Sequence, residues 1–153
     1  MKNFIVFSDV HGDLVAFEQI LKFANKNDGL FFAGDGINLL ISQPKNENWY
    51  YVKGNCDVIG EQEKIIEVDG VRILLVHGHN QGVKSNYLRL SLYAKEKGCN
   101  VVIFGHTHIP YVCEEDGLLM INPGSCSYYS ERKTYACLCI SSGKASAYIN
   151  QLK

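Results

Sequence analysis

Five short apolar runs each end, within a residue or two, in a cluster that combines glycine with Asp, Asn or His. The clusters are Asp9-Val10-His11-Gly12, Gly34-Asp35-Gly36, Gly54-Asn55-Cys56-Asp57, His77-Gly78-His79 and Gly105-His106-Thr107-His108. The runs before them, such as 3–8 (NFIVFS) and 101–104 (VVIF), are continuously apolar rather than alternating. That pattern marks strands buried on both faces, as in parallel sheets covered by helices. In open α/β sheets, ligands bind beyond the carboxyl ends of the strands. Five strands are therefore expected to deliver polar tips to one region.

The rest of the chain supplies the scaffold. Residues 29–33, 49–53, 63–68 and 72–76 read as further strands, with the Asp69-Gly70 hairpin turn between the last two. Strands are also expected at 111–115, 118–121, 134–140 and 144–149, with turns at Asp116-Gly117 and Ser142-Gly143. Asp13 is placed to cap a helix whose apolar stripe is Leu14, Phe17, Leu21 and Ala24. A second helix is predicted over 84–97, stopped by Gly98, and one helical turn within 36–48. The first half alternates strand and helix and the last third is a β-meander. The residues predict an α/β fold with a mixed sheet or two stacked sheets, in a single domain over 1–153.

A net charge near −1 argues against a dedicated nucleic-acid surface. The apolar run Phe4–Phe7 is too short for a signal peptide, and none approaches the roughly 20 residues of a membrane span. A cytoplasmic protein is expected, with no membrane contact. Its six cysteines are then expected to be reduced and mostly buried, Cys137 and Cys139 sharing one face of a strand. Trp49, Tyr50 and Tyr51 read as core or half-buried strand positions; Tyr128 and Tyr129 fall in a loop.

All five histidines, 11, 77, 79, 106 and 108, lie in the strand-end clusters. Neutral imidazole mixed with Asp and Asn suits divalent ions such as Mn²⁺, Fe²⁺, Zn²⁺ or Mg²⁺. One ion would not use so many ligands, whereas two bridged by a carboxylate would. Such a pair lowers the pKa of a bridging water, and the hydroxide attacks phosphorus while the cations absorb phosphoryl charge. His106 and His108, one residue apart, can each take one of two neighbouring cations.

The ordered set D-x-H, G-D, G-N-x-D, H-G-H and G-H-T-H, followed by 122-NPGS-125, resembles the calcineurin-like metallophosphoesterase superfamily, in particular its small bacterial and archaeal phosphodiesterase branch. The resemblance implies two packed mixed β-sheets flanked by helices and a dinuclear phosphodiesterase with a metal-bridging hydroxide as nucleophile. It places Asp9, His11 and His108 on the first metal, Asn55, His77 and His106 on the second, and Asp35 across both. It implies a small phosphoester substrate, two divalent ions (Mn²⁺ first, then Ni²⁺, Fe²⁺, Zn²⁺ or Mg²⁺) and dimers or tetramers. Cys56 stands where many members have a histidine that contacts phosphate or the leaving group. His79, left over after the metal assignments, is the candidate general acid or else a residue that orients a ligand. Asp57 is read as orienting a neighbour or as an exposed turn residue, and Arg132 as a surface residue.

Rival readings are weaker. The stretch 77-HGHNQGVKS-85 departs from P-loop spacing. The cysteines lack the C-x₂₋₄-C pair of structural zinc. The serious alternative is a non-enzymatic protein-interaction scaffold of the same fold, as in the eukaryotic retromer, where ligand histidines have been lost. Here the full set is present.

Overall fold

The computed structural model describes all residues, 1–153. Two five-stranded mixed sheets pack face to face with helices on both outer sides. The first sheet has the order β10-β9-β1-β2-β3, from Lys144–Gln151, Thr134–Ser141, Lys2–Phe7, Gly29–Phe32 and Trp49–Tyr51. The second has the order β4-β5-β6-β8-β7, from Glu63–Val68, Val71–Val76, Val101–Ile103, Leu118–Asn122 and Tyr111–Glu115. Both sheets are mixed. Strands β1, β2 and β3 run parallel, as do β5, β6 and β8, while β9, β10, β4 and β7 pair antiparallel.

Why the strands read as solid apolar runs is visible in the layers. Phe4, Val6, Phe31, Ile73, Leu75, Val101, Ile103 and Ile121 meet between the sheets. The alternate residues Ile5, Phe7, Leu30 and Phe32 face outward onto Phe17 and Ile20 of α1 (Leu14–Asn25) and Ile37 and Leu40 of α2 (Ile37–Ile41). Leu74, Val76, Val102 and Phe104 face Leu90 and Ala94 of α3 (Leu88–Glu96). Each of these strand residues thus has an apolar neighbour on its own side, and side chains of this size contribute about 1.5–3 kcal/mol each when buried.

Asp13 caps α1 as expected, accepting from Ala16 N at 3.1 Å. Helix α3 begins at Leu88 rather than 84. Asn86 Oδ1 accepts from Leu88 N at 3.0 Å, a local bond that competes with helix, and 84–87 forms a turn instead. Gly98, at φ 72°, ends the helix region as expected. All six cysteines are free, but only Cys99 and Cys126 are buried; Cys56 is exposed. The expectation of mostly buried thiols is therefore corrected: Cys137 and Cys139 share the half-buried face of β9, and Cys113 lies on an edge strand. Trp49, Tyr50 and Tyr51 are half-buried, while Tyr128, Tyr129 and Arg132 are exposed. No helix is long and apolar enough to cross a membrane.

Candidate metal centre

Parallel β1, β2 and β3 release their chain at one end of the first sheet, and parallel β5 and β6 do so in the second. The five clusters follow these five ends, and side chains from both sheets meet there. Five of the residues concerned sit at positive φ: Asp9 (55°), His11 (47°), Asp35 (64°), His106 (72°) and His108 (63°). Such backbone costs a non-glycine residue about 1–3 kcal/mol and persists only where the surroundings hold it.

The surroundings are specific. Asp9 is fully buried; its Oδ2 accepts from Ser8 Oγ at 2.5 Å and from His106 N at 3.1 Å. Ser125 Oγ donates to Asp9 O at 2.7 Å. Asp57 holds the second and third clusters together: its Oδ2 accepts from Asp35 N (2.8 Å) and Gly54 N (2.9 Å), and its Oδ1 from Gly36 N (2.9 Å). Asp57 is thus an orienting residue rather than an exposed turn aspartate. Asn122, buried at the end of β8, donates from Nδ2 to Gly105 O (3.1 Å) and Thr107 Oγ1 (2.9 Å), bracing the turn that carries His106 and His108. Gly54 and Gly105 lie so close to the carboxylates of Asp35 and Asp9 that a Cβ at either would overlap them.

Six of the predicted ligands converge in two groups. Ligand atoms of Asp9, His11 and His108 lie within 4.8 Å of one another, and so do those of Asp35, His77 and His106. Asp35 Oδ2 faces both groups, 3.3 Å from His77 Nε2 and 3.9 Å from His11 Nε2. Asp9 Oδ1 has His108, His11 and His77 nitrogens at 3.1, 3.6 and 3.9 Å. His77 Nδ1 donates to Ala33 O at 2.7 Å, which fixes the ring so that Nε2 turns into the site. Asn55 is the predicted ligand that stands apart: it is exposed and its Nδ2 donates to Cys56 Sγ at 3.7 Å. His79 packs beside the second group, its ring centre 5.4 Å from that of His77 and 6.0 Å from that of His106.

The charges are mutually dependent. Burial would raise the Asp9 carboxyl, but the imidazoles of His108, His11 and His77 and the Ser8 hydroxyl hold it well below the carboxylate range. At Asp35 burial is likewise outweighed by His77 and the Cys56 N–H, and the carboxyl is lowered. In return Asp9 raises His11, and Asp35 and Asp9 raise His77 against its burial. Burial, with His77 and Lys84 nearby, pushes His106 down to about 4. Burial and His77 also lower His79.

The donor set fits divalent cations. Asp9 Oδ1 is a buried carboxylate oxygen with no hydrogen-bond partner, facing three imidazole nitrogens. Buried polar atoms are rarely left so. Oxygen and imidazole donors converging in two neighbouring groups suit borderline divalent ions.

Fold and site together define a metallohydrolase-type α/β sandwich. The chain belongs to the calcineurin-like phosphoesterase superfamily, whose domain its residues 1–143 match, and is with it a metal-dependent phosphoesterase. It is 35% identical over 152 residues to a probable metallophosphoesterase of Mycoplasma pneumoniae, covering 95% of this chain and 94% of that one. It is 28% identical over 147 residues to a phosphodiesterase of Methanocaldococcus jannaschii, covering 81% of this chain and 84% of that one. Its fold is also that of Vps29 from Chaetomium thermophilum, with a TM-score of 0.79 at 16% identity over 100% of this chain and 90% of that one.

The bracing roles that sequence reasoning did not assign are those of Asn122 and Ser125, which entered it only as part of the NPGS motif. The signal for them was the polar NPGS stretch that ends an otherwise fully buried strand.

Proposed function

We propose that this chain is a dinuclear, metal-dependent phosphodiesterase of the cytoplasm, acting as one domain on a small phosphoester. The observation that carries the reading is the partnerless Asp9 Oδ1 among three imidazoles, beside an Asp35 carboxylate that faces both ligand groups. Asp9, His11 and His108 would hold one ion, His77 and His106 the other, and Asp35 both; Asn55 would complete the second set if its exposed amide turned away from Cys56. Bound there, two divalent cations, Mn²⁺ foremost, would supply a hydroxide nucleophile from water near neutral pH and neutralise charge on the phosphoryl oxygens.

The protein's own part is positioning. Asp57 and Asn122 fix the turns, and Ala33 O fixes the His77 tautomer. His79, with a buried and unpaired Nδ1, stands beside the second group to contact the leaving group. Its lowered proton affinity makes it a neutral hydrogen-bonding imidazole near pH 7.

The test is metal content after loading with Mn²⁺, read together with hydrolysis of bis(p-nitrophenyl) phosphate. Two ions per chain and turnover are expected, both lost in Asp35→Asn while the circular dichroism spectrum is kept. Ions bound without turnover on any ester would favour the interaction scaffold.

A further inference from the structure

Cys56 is a ligand-competent residue that the two metal groups leave over. Its Sγ, a ring nitrogen of His11 and a carboxylate oxygen of Asp35 lie within 4.8 Å of one another, the same closeness as within either proposed group. The thiol is free and exposed, and none of the other cysteines enters such a group. Its place is fixed by the backbone. Cys56 N donates to Asp35 Oδ1 at 2.9 Å, and the next residue, Asp57, accepts from Asp35 N and Gly54 N. Sγ itself accepts only weakly, from Asn55 Nδ2 at 3.7 Å.

A second observation points to a cation beside this sulfur. Asp9 Oδ1, fully buried and without a hydrogen-bond partner, faces His11 Nε2 at 3.6 Å. The same Nε2 stands 3.9 Å from Asp35 Oδ2. His11 therefore joins the Asp9 group to the sulfur. Donors on one tetrahedral zinc ion lie roughly 3.3–3.6 Å apart, so closing the set takes a movement of about 1 Å, within reach of an exposed side chain.

Sulfur changes which ions the centre prefers. Thiolate is a soft donor that selects Zn²⁺, whereas carboxylate and water suit Mn²⁺ and Mg²⁺. A neutral thiol is only a weak hydrogen-bond donor, so Cys56 is better equipped to ligate than to contact phosphate. We propose that Cys56 is a metal ligand, forming with His11 and Asp35 a third, thiophilic set that takes Zn²⁺ and not Mn²⁺. Binding breaks the S–H bond, forms a bond from sulfur to the ion and releases the proton to solvent. His11 and Asp35 cannot serve this set and the hydrolytic pair in full at once. Zn²⁺ held through Cys56 therefore arrests the centre. The ligation stands on its own geometry, while the arrest rests on the phosphodiesterase reading above.

Co²⁺ is the spectroscopic probe. Added to the metal-free protein, it should give a thiolate-to-cobalt charge-transfer band in the near ultraviolet. The band should vanish in Cys56→Ser and persist in Cys113→Ser, which alters a half-buried thiol on edge strand β7. In the wild-type chain, Zn²⁺ should slow alkylation of Cys56 by iodoacetamide about tenfold or more, read by peptide mass, and Mn²⁺ by less than about twofold. Zn²⁺ should also inhibit hydrolysis of bis(p-nitrophenyl) phosphate by the Mn²⁺-loaded protein, and less so in Cys56→Ser. An absent band, a band that survives Cys56→Ser, or equal alkylation with and without Zn²⁺ would overturn ligation by Cys56. Equal Zn²⁺ inhibition of the two proteins would overturn the arrest. A Cys56-dependent band in a protein that hydrolyses no ester with Mn²⁺ would instead overturn the esterase reading, and the arrest with it, and leave the thiolate site standing.

Discussion

The two ends of the sandwich use the same strained backbone for different purposes. At the end away from the metal centre, Asp69, Asp116 and Ser142 have φ of 45°, 52° and 50°. Each is followed by a glycine that also has positive φ, which is the requirement of a tight hairpin turn between antiparallel strands. There the left-handed residue serves the turn, and its identity matters little beyond being small and polar. At the opposite end Asp9, His11, Asp35, His106 and His108 adopt the same region without a hairpin to make. Histidine is a costly residue to hold there, and bonds from Asp57, Asn122 and Ser125 keep the backbone in place. Left-handed backbone therefore marks architecture at one end and chemistry at the other. The difference shows in the side chains: turn formers in the first case, electron-pair donors aimed inward in the second.

The sharpest way to break this contrast is His108→Gly. Removing a proposed ligand should cut kcat on bis(p-nitrophenyl) phosphate by on the order of 10³-fold or more. The same change relieves the backbone, so the metal-free protein should melt higher than wild type, by an amount that reflects about 1 kcal/mol. A variant that lost both activity and metal-free stability would show that His108 holds the fold rather than an ion.

Metal itself should discriminate the two ends. Ions at a thousand times their Kd stabilise by about 4 kcal/mol, on the order of 10 °C in Tm for a chain of this size. The gain should depend on pH. Without metal, His11 and His77 hold protons more tightly than in the unfolded chain. That contribution is present in full below the unfolded value and fades as pH rises through the raised folded one. Ions compete with those protons, so the Mn²⁺-induced rise in Tm should grow between pH 5.5 and 7.5. A thermal-shift series at fixed free Mn²⁺ measures it, and a flat profile would contradict ligation by these two imidazoles.

Smaller effects follow from the braces. Asp57→Ala strips acceptors from four backbone N–H groups and should cost about 2–4 kcal/mol in urea unfolding, with metal affinity reduced as well. At the far end, Asp116→Gly should change stability by less than about 0.5 kcal/mol and leave kcat untouched. A large loss there would mean that the turns are coupled to the centre through the strands.

Much of this was legible beforehand. Continuous apolar runs announced strands covered on both sides, and Phe7 and Val102 show why: one faces α1, its neighbours face the other sheet. The five histidines, all at strand ends, located the centre before any distance was known. Other features left no periodic trace. Helix α3 starts late because a single asparagine side chain captures Leu88 N. Asn122 is one amide whose importance comes from the carbonyl it meets across 17 residues of chain. The orientation of Asn55 toward a neighbouring thiol depends on a rotamer, which sequence does not encode on its own.

The placement of β1 between β2 and β9 bears on how the molecule comes into being. Its first strand waits for residues 134–141 before both of its edges are satisfied, and Asp9 waits for Ser125. A nascent chain therefore keeps that strand edge open until residues 134–141 have left the ribosome, and the ligand cluster around Asp9 closes no earlier than Ser125.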